Sequence, residues 1–234
     1  NLLGSQQPDI VCLQEYHAGR KGMVDIHDSI KQYTGLKYHH IAYAKYKNKT
    51  KPYGIATFSR WPIIASETIK FENNTVNSCI YSDIVIKNDT VRVYNIHLES
   101  IQFSNEDYLY VSELTNQPDK QELNSENLFK IIRKLKKAFI TRANQARTVA
   151  ACIKKSPYKV VVCGDFNDTP SSYSYNQISS GLLDAFKQSG RGIGQTYAGT
   201  LPSFRIDYIL HDMRFSSTEY ARIRERWSDH YPVT

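Results

Sequence analysis

Apolar positions along this chain fall into short runs broken by polar turn formers. Six runs stand out: "DIVCLQE" (9–15), "GIATFSR" (54–60), "CIYSDIVIK" (79–87), "VRVYNIHL" (91–98), "KVVVCGDF" (159–166) and "RIDYILH" (205–211). Each is short and rich in Val, Ile and Tyr, which predicts β-strands. "SDIVIKNDTVRVYNIHL" reads as a hairpin turning at Asn88–Asp89. One stretch keeps a different period. From Leu128 the apolar residues fall at 128, 131, 132, 135, 139, 143, 146, 150 and 153, mostly in steps of three and four, with no Gly or Pro before Ser156–Pro157. That spacing predicts one long amphipathic helix. Short helices are expected near 25–34 and 173–180, and the polar, acidic stretch 102–124, without a period, is expected to be a loop. The pattern is that of an α+β domain whose sheets pack on each other with helices outside.

Composition narrows the options. The 234 residues fit one large domain or two small ones, and no linker or domain boundary is visible. The four cysteines, Cys12, Cys79, Cys152 and Cys163, form neither a CxxC pair nor a disulfide pattern, and read as small core residues. No run of eighteen apolar residues exists to span a bilayer. The formal charge of +7 favours a polyanionic partner, nucleic acid first and an anionic membrane surface second. The excess is concentrated: nine Lys or Arg residues and no acidic one lie between Leu128 and Lys155.

The predicted strands share a habit of ending on chemistry-bearing side chains. "DIVCLQE" ends at Glu15, "VRVYNIHLES" carries His97, and "VVVCGDFND" ends at Asp165 and Asn167. "RIDYIL" places Asp207 inside an apolar run, where a carboxylate needs a partner. "SDHYP" puts Asp229 beside His230. Taken singly, each is as easily a solvated strand end or a hydrogen-bonded core group. Taken together, carboxylates with an Asn suit Mg²⁺ or Mn²⁺, which prefer oxygen ligands, and the Cys and His spacing does not suit structural zinc. Such a site fits hydrolysis at phosphorus, with a carboxylate-oriented His donating a proton or a hydrogen bond.

The ordered set "LQE" (13–15), "NIHLES" (95–100), "GDFND" (164–168), "RIDYIL" (205–210) and "SDHYP" (228–232) resembles the endonuclease/exonuclease/phosphatase superfamily. That superfamily includes deoxyribonucleases, apurinic endonucleases, neutral sphingomyelinases, tyrosyl-DNA phosphodiesterases and inositol-polyphosphate phosphatases. The resemblance spans Leu13 to Pro232, and "YGIATFSRWPI" (53–63) adds the family's strand and turn. It implies a two-sheet β-sandwich flanked by helices, a four-layer α/β/β/α arrangement, with the site at one edge of the sheets. By position, it implies that Glu15 holds metal and that Asp229 touches metal directly or through water. It implies that Asp165 and Asn167 orient or deprotonate the attacking water and contact phosphate, that Asp207 holds His230, and that His97 contacts the scissile phosphate. Arg205, at the head of "RIDYIL", is expected to bind substrate. "QTYAGTLPSFRID" (195–207) is expected to lie beside the site.

The expected activity is Mg²⁺- or Mn²⁺-dependent hydrolysis of a phosphodiester or phosphomonoester, with nucleic acid as the first substrate class. Lipid or small phosphate esters are the alternative. The family also places an Asn on a strand well ahead of the "QE" glutamate and a further strand after "SDH". Asn1 is too close to Glu15 to fill the first role and the sequence stops at Thr234, so the catalytic domain reads as cut at both ends.

Overall fold

The computed structural model describes residues 2–17, 26–44, 53–72, 77–116, 125–199 and 204–234. In chain order the elements are α1 (Leu2–Gln6), β1 (Ile10–His17), α2 (Ile26–Thr34), β2 (Tyr38–Tyr43), β3 (Tyr53–Ser59), β4 (Ile63–Ile69), β5 (Ser78–Ile86) and β6 (Asp89–His97). There follow α3 (Asn105–Asn116), α4 (Ser125–Lys154), β7 (Lys159–Asp165), α5 (Tyr173–Ile178), β8 (Leu182–Asp184), α6 (Ala185–Ser189) and β9 (Asp207–Asp212). One sheet has three strands in the order β1-β3-β2, and the other has six in the order β4-β5-β6-β7-β9-β8. Among the described strands only β6 and β7 pair in parallel, and a parallel pair needs a long crossover, which α3 and α4 supply.

Side-chain alternation in the strands produces the layers. Ile84, Val91 and Val93 point between the sheets and meet Ile10, Cys12 and Val161 there. The opposite faces of β6 and β7 present Tyr94, Ile96, Val160 and Val162 to Ala146, Val149 and Ile153 of α4 and to Tyr175 and Ile178 of α5. On the far side Ile30 of α2 and the adjoining Leu36 cover Val11, Ala56 and Phe58 of the small sheet. This is the two-sheet sandwich flanked by helices.

Asn95 locks the two sheets together. It is fully buried in β6, donates from Nδ2 to the Ala56 carbonyl at 2.8 Å, and accepts from Gln14 Nε2 at 2.6 Å. The same Nδ2 lies 3.4 Å from the Leu13 carbonyl and from Thr57 Oγ1. One amide therefore ties β6 to both β1 and β3.

The structure corrects several expectations. Asn105–Asn116 is a helix rather than a loop, and the remainder of that stretch, 117–124, lies outside the described residues. Its start is a reciprocal cap: the Ser104 amide donates to Asp107 Oδ2 at 2.7 Å, and the Asp107 amide donates to Ser104 Oγ at 3.3 Å. Lys134 of α4 closes on the same carboxylate and, with the Ser104 contacts, holds the Asp107 carboxyl well below the usual carboxylate range. The hairpin turns at Lys87–Asn88, since Ile86 pairs with Asp89 and Lys87 takes φ +59°. Three strands escaped the pattern, β2, β4 and β8, and all three are sheet edges. β2 and β4 are largely solvent-facing and β8 is three residues long, so none carries a clean apolar alternation.

Replacing Asn95 by Ala would strand the Ala56 carbonyl and the Gln14 amide in a dry interior. The expected cost is about 2–3 kcal/mol in urea denaturation. A change under about 0.5 kcal/mol would show that the inter-sheet bonds do not hold the sandwich.

Candidate active site

Strand register alone brings three of the candidate side chains abreast. His97 is the last residue of β6 and pairs with Asp165, the last of β7; Asp165 pairs in turn with Asp207, the first of β9. The three sit side by side on neighbouring strands at one end of the six-stranded sheet. Gly164 permits this spacing. A Cβ there would lie 2.0 Å from the Ile96 carbonyl oxygen, and its φ of +152° disfavours any other residue.

His230 arrives from the C-terminal segment. Tyr197 and His230 form an isolated β-bridge, flanked by the Tyr231 amide donating to the Thr196 carbonyl at 2.7 Å and the Ala198 amide donating to the Asp229 carbonyl at 2.7 Å. His230 Nδ1 is 2.9 Å from Asp207 Oδ2, and its Nε2 faces Asp165 Oδ2 at 3.9 Å. His97 Nε2 faces the same Asp165 oxygen from the other side at 3.8 Å. Ligand atoms of Asp165, Asp207 and His230 all lie within 4.8 Å of one another.

Asn167 is bound into the turn after β7. Its amide donates to Asp165 Oδ1 at 2.7 Å, and its Nδ2 donates to Asp165 Oδ2 and to the Leu98 carbonyl, each at 3.0 Å. This Asx-type turn holds Asn167 at φ +51°, a conformation that Asn tolerates better than most residues. Glu15 reaches the site from the other sheet. The pairing of β1 with β3 slips between Leu13 and Tyr16, and inside that bulge Glu15 takes φ +53° with its side chain exposed. Bulges of this kind re-aim side chains. The Glu15 charge is felt by both His97 and Asp165.

The electrostatics follow from crowding. Burial, reinforced by the Asp207 charge, pushes the Asp165 carboxyl up to about 8. For His230 burial works against the cation, but the hydrogen bond to Asp207 and that residue's charge outweigh it and raise the imidazole to about 9. Burial moves His97 the other way, below its ordinary value. A buried carboxyl as hard to ionise as Asp165, with the Asp207 carboxyl beside it and an exposed Glu nearby, is a donor set that a hard divalent cation relieves. The residues therefore fit such a cation.

One expected residue is placed differently. Arg205 does not face the site. Its guanidinium is buried, donates from one nitrogen to both Asp184 oxygens at 3.0 and 2.8 Å, and lies over the Phe186 and Tyr208 rings at 4.6 and 4.8 Å. A cation so committed is a core pin under α6 and not a phosphate ligand. Asp229 is exposed beside the row, near enough for its charge to favour the His230 cation. The segment 195–207 does lie beside the site in its described part: the Tyr197 ring is 5.5 Å from the His230 ring, while 200–203 lie outside the described residues.

One residue was missed. Arg142 of α4 is 1% exposed, donates from Nε to Asp168 Oδ2 at 3.1 Å and from NH1 to the Glu99 carbonyl at 2.8 Å. It clamps together the turn after His97 and the turn after Asp165. The signal was in the sequence: among nine cations, Arg142 alone falls on the buried stripe with Ala138, Ala146 and Val149.

The same fold recurs in known proteins. Among solved structures, an endonuclease/exonuclease/phosphatase from Bacteroides vulgatus superposes with TM-score 0.69 at 16% identity, covering 99% of this chain and 85% of its own. D. rerio TDP2, solved with a single-strand DNA product, gives TM-score 0.64 at 18% identity over 99% and 86%. Sphingomyelinase C from Streptomyces griseocarneus gives 0.60 at 18% identity over 97% and 85%. At such identities the likeness establishes the fold. Comparison with curated protein sequences finds no match. The sequence profile of the Endonuclease/Exonuclease/phosphatase family, however, matches residues 1–230. With a profile match over nearly its whole length, the chain belongs to the endonuclease/exonuclease/phosphatase family, whose members are phosphoesterases.

Proposed function

We propose that this protein hydrolyses phosphodiesters by attack of water, assisted by Mg²⁺ or Mn²⁺. The observation that carries the reading is the row His97–Asp165–Asp207, closed by His230. Asp165 is the base. Its raised pKa makes it a competent proton acceptor near neutrality, and Asn167 fixes both of its oxygens toward the reacting centre. The water oxygen bonds to phosphorus, its proton passes to Asp165, and the bond from phosphorus to the leaving oxygen breaks. Asp207 keeps His230 charged and correctly turned, so that its Nε2–H meets the charge building on the phosphoryl oxygens. His97, kept largely neutral by burial, gives a second ring nitrogen on the opposite side of Asp165. A divalent cation held by Glu15, with Asp229 contributing directly or through water, would supply Lewis-acid polarisation of the phosphate.

Nucleic acid is the first substrate class, supported by the net charge of +7 and by the likeness to D. rerio TDP2, solved with a single-strand DNA product. The cationic helix supports it less than its composition suggests, because Arg142 is buried and Lys130 and Lys134 turn to Asp107. Lipid or small phosphate esters are the second reading, favoured by apolar side chains exposed on α4.

Turnover of bis(p-nitrophenyl) phosphate with Mn²⁺ tests the assignment. Asp165→Ala and His230→Ala are each expected to lose about 10²- to 10⁴-fold in kcat with the fold intact by circular dichroism. Wild-type turnover in either variant would overturn the mechanism. Chelation by EDTA should abolish activity and Mn²⁺ should restore it, while Glu15→Gln should need more Mn²⁺ for half-maximal rate and bind it more weakly by calorimetry. An unchanged Mn²⁺ requirement would remove Glu15 from the metal site.

The pH profile has a defined sign. Its contacts with Asp207 raise His230 to about 9 in the folded state, above the ordinary imidazole value of 6.5. The cation is complete below the lower value and is lost as pH rises through the higher one. The rate is therefore expected to fall on the alkaline side near pH 9, and in Asp207→Asn that limb should move toward neutrality. A limb that stays in place would show that Asp207 does not hold the charge.

A further inference from the structure

α4 begins beyond the site. It runs back from the end of the sheet where His97 and Asp165 lie, and Arg142 marks the level of the site through its bonds to the Glu99 carbonyl and Asp168. The seventeen residues 125–141 continue past that level for about 25 Å at the helical rise. Their inward side carries Ile131 and Ala138. Their outward side is unusual for a helix face in water: Phe129 is 65% exposed, Ile132 48%, Phe139 50% and Ile140 53%. These four fall within one stripe at helical spacing, with exposed Lys136 among them and exposed Arg133 and Lys137 along its flank. Among the described residues Arg133, Lys136 and Lys137 make no ion pair, and no acidic residue occurs from Leu128 to Lys155.

A merely solvated face does not explain two exposed Phe and two exposed Ile. A nucleic-acid surface explains the cations but leaves the isoleucines with nothing apolar to meet. A second copy of the chain would bring like charges together along the flank of the stripe. An anionic bilayer satisfies both halves, with apolar side chains entering the boundary between headgroups and acyl chains and cations resting on lipid phosphates. We propose that the N-terminal half of α4 docks this protein on an anionic lipid surface. The docking stands apart from the hydrolase reading, since it requires no turnover, and it sets the catalytic end of the sheet toward the bilayer.

Cosedimentation with phosphatidylcholine vesicles containing phosphatidylserine tests it. The full chain should partition onto these vesicles and much less onto pure phosphatidylcholine. The triple variant Arg133→Gln/Lys136→Gln/Lys137→Gln should lower partitioning by about 100-fold. Phe129→Ser/Phe139→Ser should lower it at least about tenfold. Phe129→Trp should give a blue shift in emission on vesicles, a positive readout that does not depend on loss. Asp165→Asn should partition like wild type whatever its turnover, which separates failure of docking from failure of the catalytic assignment. Absence of partitioning, or partitioning unaffected by the serine pair, overturns the proposal. So does duplex DNA binding that depends on the three cations but not on Phe129 and Phe139, or a concentration-dependent dimer abolished by the serine pair in a protein that ignores vesicles.

Discussion

The pairing of β6 with β7 and of β7 with β9 is the constraint on which the site depends. Backbone hydrogen bonding fixes which residues lie opposite, and side chains alternate with a period of two, so a slip of one residue would send Asp165 to the opposite face from His97 and Asp207. The register is protected from both sides. Gly164 lets the strands approach, and Asn95 pins β6 to the other sheet two residues before His97. The Leu98 amide bonds to the Asp165 carbonyl, and the Phe166 amide to that of Ile206, so pairing continues just past the charged row.

Abreast placement has an electrostatic consequence. Two buried carboxylates on adjacent strands repel, and the protein offsets this with a positive imidazole on one and an Asx turn on the other. The turns on either side of the row are fastened from behind by Arg142, whose fork reaches both Glu99 and Asp168. The helix with the largest positive charge thus spends one cation on the interior of the site and two on α3, and the rest face solvent. Its composition and its function are therefore separate matters.

Central strands were legible in the sequence because both faces are covered: "VVVC" and "VRVYNIHL" read as strands without ambiguity, and the chemistry sits where those runs stop. α4 was legible because one apolar period holds from Leu128 to Ile153. Edge strands were not, since β2, β4 and β8 contribute to the backbone ladder without burying a clean face. α3 was hidden by its weak apolar stripe, although Ser104 and Asp107 announced its cap. Five motifs indicated which residues meet in the site, but Arg205 shows the limit of reading by adjacency. It stands two residues from Asp207, yet the bend before β9 sends it into the core against Asp184.

His97, Asp165 and Asp207 are secured by strands, whereas the segment of His230 depends on two isolated bridges, Tyr197 to His230 and Arg222 to Val233, on a few flanking bonds and on the contact of the ring with Asp207. Short segments held this way open more readily than the sheets they lie against. Closure of the row and thermal integrity are for this reason separable quantities: detachment of the segment that carries His230 opens the row while leaving the sandwich folded.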